Sequence, residues 1–221
     1  MSFESINYSV DYKVEDNVQI PITIQDDLSE SIDHGILVSK LAFLLSKTIQ
    51  MDEEFCYRLA NAGLVHDIGK LKLIKYLYGR KKDSLSIEEM RYIRMHPSLG
   101  KEILTEYGYE NTIIEAVYHH HENFDGTGYP ENLKGEDIPI GARILRICDV
   151  FAALISERKY RSAFDLDTAI ELMIDEVKNF DMEVFLGFLT LVHSIEMKEV
   201  LDFVNTINKK YCYVREELLF K

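Results

Sequence analysis

One carboxylate limits what this chain can fold into more than any other residue. Residues 142–156 read ARILRICDVFAALIS, apolar nearly all round as a helix at the centre of a domain is, and Asp149 lies inside them. A carboxylate buried there without a partner costs several kcal/mol, so the fold must bring a cation to it. His66-Asp67 poses the same problem. The pair follows the apolar stretch Leu59–Val65 and precedes Ile68-Gly69-Lys70, which places two ionisable groups at or near a buried helix end. A metal ion shared by Asp149, His66 and Asp67 resolves both cases, because neutral imidazole and carboxylate are its natural ligands.

The surrounding periodicity is helical from Leu28 to about Phe185. Leu37, Leu41, Leu44, Leu45 and Thr48 mark one face of a helix over roughly 29–50. Phe55, Leu59, Ala62 and His66 share a face of the next, which Asp52 caps. Ser86 and Glu89 form a capping box for a helix running to Pro97, and a short helix over about 98–107 stops at Gly108. Ile113, Val117, His120 and His121 line another. Asn123–Ile138 reads as a loop, helices around 168–178 and 183–194 complete the body, and Val200, Phe203, Val204 and Ile207 give the tail a helix of its own. The start differs. Ile6, Tyr8, Val10, Tyr12 and Val14, then Val18, Ile20, Ile22 and Ile24, alternate with polar residues around Glu15-Asp16-Asn17, a β-hairpin signal with Pro21 suited to an edge. The expected architecture is an all-α helical bundle with a small N-terminal β-hairpin appendage: 1–27 appendage, 28–194 catalytic body, 195–221 C-terminal helical extension. The appendage and the tail are candidates for a homodimer surface as well as covers over the domain's own core.

Composition narrows the function. The 221 residues carry 38 Asp+Glu against 25 Lys+Arg, a net charge of −13, which argues against a long nucleic acid as partner. Cys56, Cys148 and Cys212 are solitary, the start has no basic n-region or apolar h-region, and no apolar run approaches the ~18–20 residues of a membrane span. These features lead us to expect a reduced, cytoplasmic protein with no membrane partner. If it handles phosphates, metal ions or a local basic cluster must supply the attraction.

Glu30 and His34 stand four apart and project from one helix face. With His66, Asp67, His96, His120, His121 and Asp149 they make eight N/O ligands and no thiolate. That set is too large for one tetrahedral zinc and suits two or three octahedral ions such as iron or manganese. His119 and His193 read as hydrogen-bonded or surface residues.

Three strings then occur in order: His66-Asp67-Ile68-Gly69-Lys70, His96-Pro97-Ser98-Leu99-Gly100, and HHENFDGTGYP from His120 to Pro130. Ala142-Arg143-Ile144, Asp149-Val150-Phe151, Arg158-Lys159-Tyr160-Arg161 and Phe180-Asp181 follow. In this set the sequence resembles the HD-GYP family, a branch of the HD superfamily of metal-dependent phosphohydrolases, over about residues 28–194. The resemblance implies an HD-domain helical bundle around a bi- or trinuclear metal centre. It implies hydrolysis of cyclic di-GMP by a metal-bridging hydroxide to pGpG, and often on to GMP. It further implies His34, His66, Asp67, His96, His120, His121 and Asp149 as metal ligands, with Asp67 as a bridge. Glu30 matches the upstream Glu that accompanies a third ion in some members, which favours a trinuclear site. Arg158 and Arg161 match the family's phosphate-binding basic pair, and Tyr129 its tyrosine, a substrate contact by hydroxyl or ring. Lys70, one turn after His66-Asp67, is either a catalytic donor to phosphate or the attacking hydroxide, or a partner for a nearby carboxylate. Arg143 serves structure or binding.

Two positions depart from the family. Ala152 stands where an Asp is common, three residues after Asp149, and Lys159 where a Pro is common. Loss of a carboxylate that orients Lys70 or another neighbour of the ligands can cost about 10–100-fold in activity or metal affinity. Two readings therefore stand beside cyclic di-GMP hydrolysis. One is a module that holds metal and cyclic dinucleotide and signals by contact; the other is a hydrolase of a different cyclic dinucleotide.

Overall fold

The computed structural model describes residues 22–73, 87–158 and 161–219. They form α1 (Ile22–Thr48), α2 (Glu53–Val65), α3 (Ile87–Ile93), α4 (His96–Glu106), α5 (Asn111–Tyr118), α6 (Ile140–Ile155), α7 (Leu166–Asp175), α8 (Met182–Val192) and α9 (Ile195–Leu219). Single 3-10 segments lie at Ile68–Leu73, Gly135–Asp137 and Val177–Asn179. No sheet occurs among the described residues, where the β-type pairing is an isolated bridge between Arg158 and Arg161. None of the described helices is long and apolar enough to cross a membrane.

The all-α expectation holds. Up to residue 21 the expected hairpin lies outside the described residues, as do Ser86 of the expected capping box and Lys159. From Ile22 the backbone is already helical, so α1 begins inside the segment assigned to the appendage. The alternation at Ile22 and Ile24 is too short to separate strand from helix.

α6 is the axis of the bundle. Its Ala142, Ile144, Leu145, Ile147, Cys148, Phe151 and Ala152 are fully buried, and α1, α2, α5, α7 and α8 pack around it. Phe151 meets Phe188 of α8 edge to face with ring centroids 4.9 Å apart; burying one such ring contributes about 1.5–3 kcal/mol. An ion pair of 2.5 Å between Arg143 Nη1 and Asp181 Oδ2 ties α6 to the start of α8. Asp181 also caps that helix, accepting from the amides of Glu183 (2.9 Å) and Val184 (3.4 Å). Asp52 caps α2 as expected, accepting from the Phe55 amide at 2.8 Å.

α9 lies against α1 and α8 and buries Met197, Val200, Val204 and Ile207, which makes it a cover over the domain's own core. Polar contacts fix its position. Lys210 Nζ donates to Ser29 Oγ (2.8 Å) and Asp33 Oδ2 (3.0 Å), and the Tyr211 hydroxyl donates to Asp33 Oδ2 (2.7 Å). Asn208 accepts from the Glu157 amide (2.9 Å) and donates to Ile155 O (3.0 Å), so α9 clasps the end of α6 and the chain leading into Arg158.

The 3-10 turn after α2 packs so closely on α4 that only glycine fits at position 69. A Cβ there would come within 2.0 Å of His96 O and 2.6 Å of Gly100 N. Gly69→Ala must therefore push away the start of α4, at a cost of about 1–3 kcal/mol or more. A lower unfolding midpoint together with weaker metal retention is the expected result, because His96 opens α4; an unchanged midpoint and metal content would contradict this packing.

Candidate metal centre

Helices from all parts of the sequence carry the expected ligands to one place. His34 comes from the middle of α1, His66 directly follows α2, His96 opens α4, His120-His121 follow α5 by one residue, and Asp149 comes from α6. Helix ends explain three of these placements. The last turns of α2, α3 and α5 leave carbonyls without an intrahelical donor. A histidine three residues on satisfies one in each case by donating from Nδ1: His66 to Gly63 O (2.8 Å), His96 to Ile93 O (2.7 Å) and His120 to Val117 O (2.6 Å). That bond turns each Nδ1 to the backbone and each Nε2 inward to the cluster.

The Nε2 atoms converge. His66 Nε2 is 3.4 Å from Asp67 Oδ2 and 3.7 Å from Asp149 Oδ1, and His34 Nε2 is 2.9 Å from the same Asp149 oxygen. His96 Nε2 is 3.2 Å from Asp67 Oδ1 and 3.2 Å from His120 Nε2. Asp67 thus turns one oxygen to His66 and the other to His96, the disposition of a bridging carboxylate. Three overlapping groups of ligand atoms result: His34, His66 and Asp149; His66, Asp67 and His120; His96, His120 and His121. His66 Nε2 is buried with no hydrogen-bond partner among the described residues. Buried polar atoms are rarely left so. A divalent cation among these nitrogens and carboxylate oxygens satisfies the orphan and the two facing imidazole nitrogens together, so the donor set fits a metal.

Charge states agree with that use. Burial lowers His96 to about 4 and His121 to about 3, in spite of nearby carboxylates. Burial, with the imidazoles of His121, His96 and His66, holds His120 well below its ordinary value. His66 is the exception: burial acts to lower it, but Asp67 and Asp149 prevail and bring it up to about 10. Burial acts to raise both carboxylates, yet Lys70 and His66 keep Asp67 well below the usual range, and His34 and His66 do the same for Asp149. Lys70 Nζ lies 2.5 Å from Asp67 Oδ2, and this carboxylate raises the ammonium's pKa against the opposing effect of burial. Lys70 has this partner without any group at 152, where Ala152 is fully buried in the apolar core.

The eighth expected ligand, Glu30, stands apart from these groups. Its Oε1 accepts from Arg158 Nη1 at 3.2 Å, and Arg158 Nη2 donates to His34 Nδ1 at 3.4 Å. Arg158 and Arg161 are joined by two main-chain hydrogen bonds, of 2.9 and 3.1 Å, but their side chains part. Arg161 donates to Ala153 O (2.7 Å), Leu154 O (3.2 Å) and Ser162 O (2.8 Å) and lies over Phe164, the contacts of a cap on α6. Tyr129 stacks on His121 with centroids 4.9 Å apart. Gly128 permits this, because a Cβ there would come within 2.2 Å of the Asn123 amide. His119 pairs with Glu115 at 3.2 Å and lies outside the ligand groups, in keeping with its structural reading.

Two cations that the sequence reading passed over reach the same rim. Arg146 lies one turn before Asp149 on α6, and its Nε donates to Asn123 Oδ1 at 3.0 Å. Arg94 lies over the Tyr129 ring, 5.2 Å from its centroid. The three-residue spacing of Arg146 from Asp149 is the signal that would have found the first; Arg94 has only its position two residues before His96.

The chain is similar to known proteins over most of its length. A family profile described as HD domain matches residues 17–184. A cyclic di-GMP phosphodiesterase of Pseudomonas aeruginosa is 32% identical over 160 residues, 72% of this chain and 38% of that protein. A 3'3'-cGAMP-specific phosphodiesterase of Vibrio cholerae is 33% identical over 157 residues, 70% of this chain and 36% of that protein. The chain spans well under half the length of these curated relatives. Among solved structures, an HDG"Y"P protein from Bdellovibrio bacteriovorus aligns with a TM-score of 0.60 at 22% identity, over 74% of this chain and 53% of that one, a likeness of fold.

The histidines set a pH dependence for chelator-stripped protein. His96 and His121 titrate near 4 and 3 when folded and near their ordinary 6.5 when unfolded, so the unfolded chain binds more protons in between. Stability is therefore full above pH 6.5 and falls as pH drops, by about 1.4 kcal/mol per unit for each histidine. His66 has the opposite sign: its contribution is complete below pH 6.5 and is lost as pH rises through about 10. Denaturant midpoints are expected to fall on both sides of neutrality, and metal uptake at pH 7 to release about one proton per chain from His66. A midpoint that keeps rising below pH 6, or uptake without proton release, would contradict these assignments.

Proposed function

This chain belongs to the HD-GYP branch of the HD-domain family, and from that premise we propose that it is a metal-dependent phosphodiesterase that opens cyclic di-GMP to pGpG. The observation that carries the reading is the orphaned Nε2 of His66 between Asp67 and Asp149, a polar set that a cation completes. Seven side chains, His34, His66, Asp67, His96, His120, His121 and Asp149, would hold two ions, iron or manganese, Asp67 offering one oxygen on the side of His66 and the other on the side of His96. The engagement of Glu30 by Arg158 supports two ions over three; a third requires Arg158 to release it.

When bound, the ions activate water and neutralise charge on the phosphoryl group. The chain's own residues do the rest. Lys70 remains an ammonium beside Asp67 and donates to a phosphate oxygen. Arg158, set between Glu30 and His34, offers a guanidinium fork suited to phosphate. Arg161 acts through structure, holding the end of α6 from which Arg158 departs. Tyr129, flat on His121, walls the site with an aromatic ring. An anion is thereby drawn to one local site on a protein whose net charge is −13. Cys56 and Cys148 are buried free thiols, which supports a reducing compartment, the cytoplasm.

The contact-signalling alternative rested on the missing carboxylate at 152. Lys70 is held by Asp67 and Ala152 fills the core, which favours catalysis. The assay has two arms, because relatives act by name on cyclic di-GMP and on 3'3'-cGAMP. Protein loaded with manganese or iron under reducing conditions is expected to cleave cyclic di-GMP. Asp67→Ala is expected to lose metal and turnover, and Lys70→Met to keep its metal and lose about a hundredfold in kcat. Metal-loaded protein that cleaves neither dinucleotide contradicts the proposal, and binding without turnover assigns the chain to contact signalling.

A further inference from the structure

The arginines of the described structure sort by their partners. Arg58 pairs with Glu54 and Glu110, Arg143 with Asp181 and Arg158 with Glu30, while Arg161 caps carbonyls. Arg146, Arg94 and the exposed Arg91 have no carboxylate partner among the described side chains, although the chain carries thirteen more acids than bases, and of the three Arg146 and Arg94 stand at the cluster's rim. Arg146 is half-buried on the central helix, and among the described residues its guanidinium makes one hydrogen bond, from Nε to Asn123. A partly desolvated cation left without an anion is unfavourable. This one stands three residues from Asp149, at the edge of the metal cluster.

We propose that Arg146 and Arg94, with the ring of Tyr129 between the metal cluster and Arg94, form a second anion subsite that takes the phosphodiester of the cyclic dinucleotide not being cleaved. The subsite rests on the phosphodiesterase reading above and adds to it the means of selecting a ring with two phosphates. Its position fits that task. Arg146 precedes Asp149 on α6 and Arg158 lies beyond the far end of the helix, so the two guanidinium groups bracket the metal ligands. The helix alone separates Arg146 from Ile155 by roughly 14 Å. One phosphate cannot serve both ends of such a span, whereas a cyclic dinucleotide presents one phosphodiester on each side of its ring. Lys70 and Arg158 face the scissile group, and Arg146 and Arg94 face the other. The flat guanidinium of Arg94 over Tyr129 also offers a purine a stacking surface. Burial raises the Tyr129 phenol's pKa, and Arg146 and Arg94 are the two strongest opposing influences on it, in keeping with their closeness to the ring.

The test compares cyclic di-GMP with bis(p-nitrophenyl) phosphate, which has a single phosphodiester and nothing to place in the second subsite. On metal-loaded protein, Arg146→Met is expected to raise KM for cyclic di-GMP about ten- to hundredfold with little change in kcat. Arg94→Gln is expected to raise it several-fold, and Arg146→Lys to recover part of the loss. The corresponding effects on bis(p-nitrophenyl) phosphate should be at least about tenfold smaller. Equal losses on both substrates, or none on either, overturn the subsite. Unsubstituted protein that cleaves bis(p-nitrophenyl) phosphate but not cyclic di-GMP rejects cyclic di-GMP as the substrate of the proposed function instead. Equilibrium binding of cyclic di-GMP then decides the subsite: Arg146→Met must weaken it about tenfold or more, and an unchanged affinity overturns the proposal.

Discussion

The contact between Asp149 and the imidazoles of His34 and His66 is the constraint on which the rest of the structure depends. A carboxylate inside the central helix is tolerable only if hydrogen-bond donors or positive charge are held against it, and the bundle is arranged to do so. α1 delivers His34 at 2.9 Å and the end of α2 delivers His66 at 3.7 Å. The Gly69 turn then brings the start of α4 close enough for His96 to meet the other oxygen of Asp67. The core that buries Phe151 and Phe188 and the site that gathers the histidines are therefore two faces of one helix, α6. Stability and ligand geometry cannot be varied independently there.

Helix ends are the second device. Each of three histidines satisfies a carbonyl that its helix leaves free, and in doing so presents Nε2 rather than Nδ1. Backbone hydrogen bonding that any helix terminus requires thus fixes which imidazole nitrogen faces the cluster. The loop from Glu122 to Glu131 is tied down by similar means: the Glu122 carboxylate accepts the Glu131 amide at 2.7 Å and the Tyr129 amide donates to His121 O at 3.1 Å. The site is rigid on that side. On the other side, Arg158 depends on Asn208 and α9 for the course of its backbone, and Ile207 and Tyr211 of α9 line a pocket together with Glu30, His34 and Arg158.

Much of this was legible in the sequence, because charge inside an apolar stretch has few explanations. Asp149 and His66-Asp67 pointed to the metal cluster before any geometry was available, and Asp52 marked a cap that the structure contains. What could not be read depends on chain segments far apart in sequence. Glu30 and His34 do share a face of α1, but Arg158 arrives from 128 residues away and takes the Glu. Arg158 and Arg161 match one motif, yet the carbonyls at the end of α6 claim only the second. Arg146 was overlooked because an arginine in a helical pattern ordinarily reads as solvated surface. Its meaning comes from Asn123, Tyr129 and the absence of a carboxylate beside it among the described residues. At Ile22 and Ile24 the period-two pattern was simply too short to carry its strand assignment.

The central claim is that the buried imidazole and carboxylate groups are a metal-ligand set rather than a self-contained hydrogen-bonded network. Crystals of the manganese- or iron-loaded protein, measured at the metal's absorption edge, test it directly. The account predicts two anomalous peaks bridged by Asp67, one of them bonded to His66 Nε2 and Asp149, with Glu30 still on Arg158. Absence of anomalous density at the cluster, or His66 Nε2 left without a bond to an ion, would contradict it.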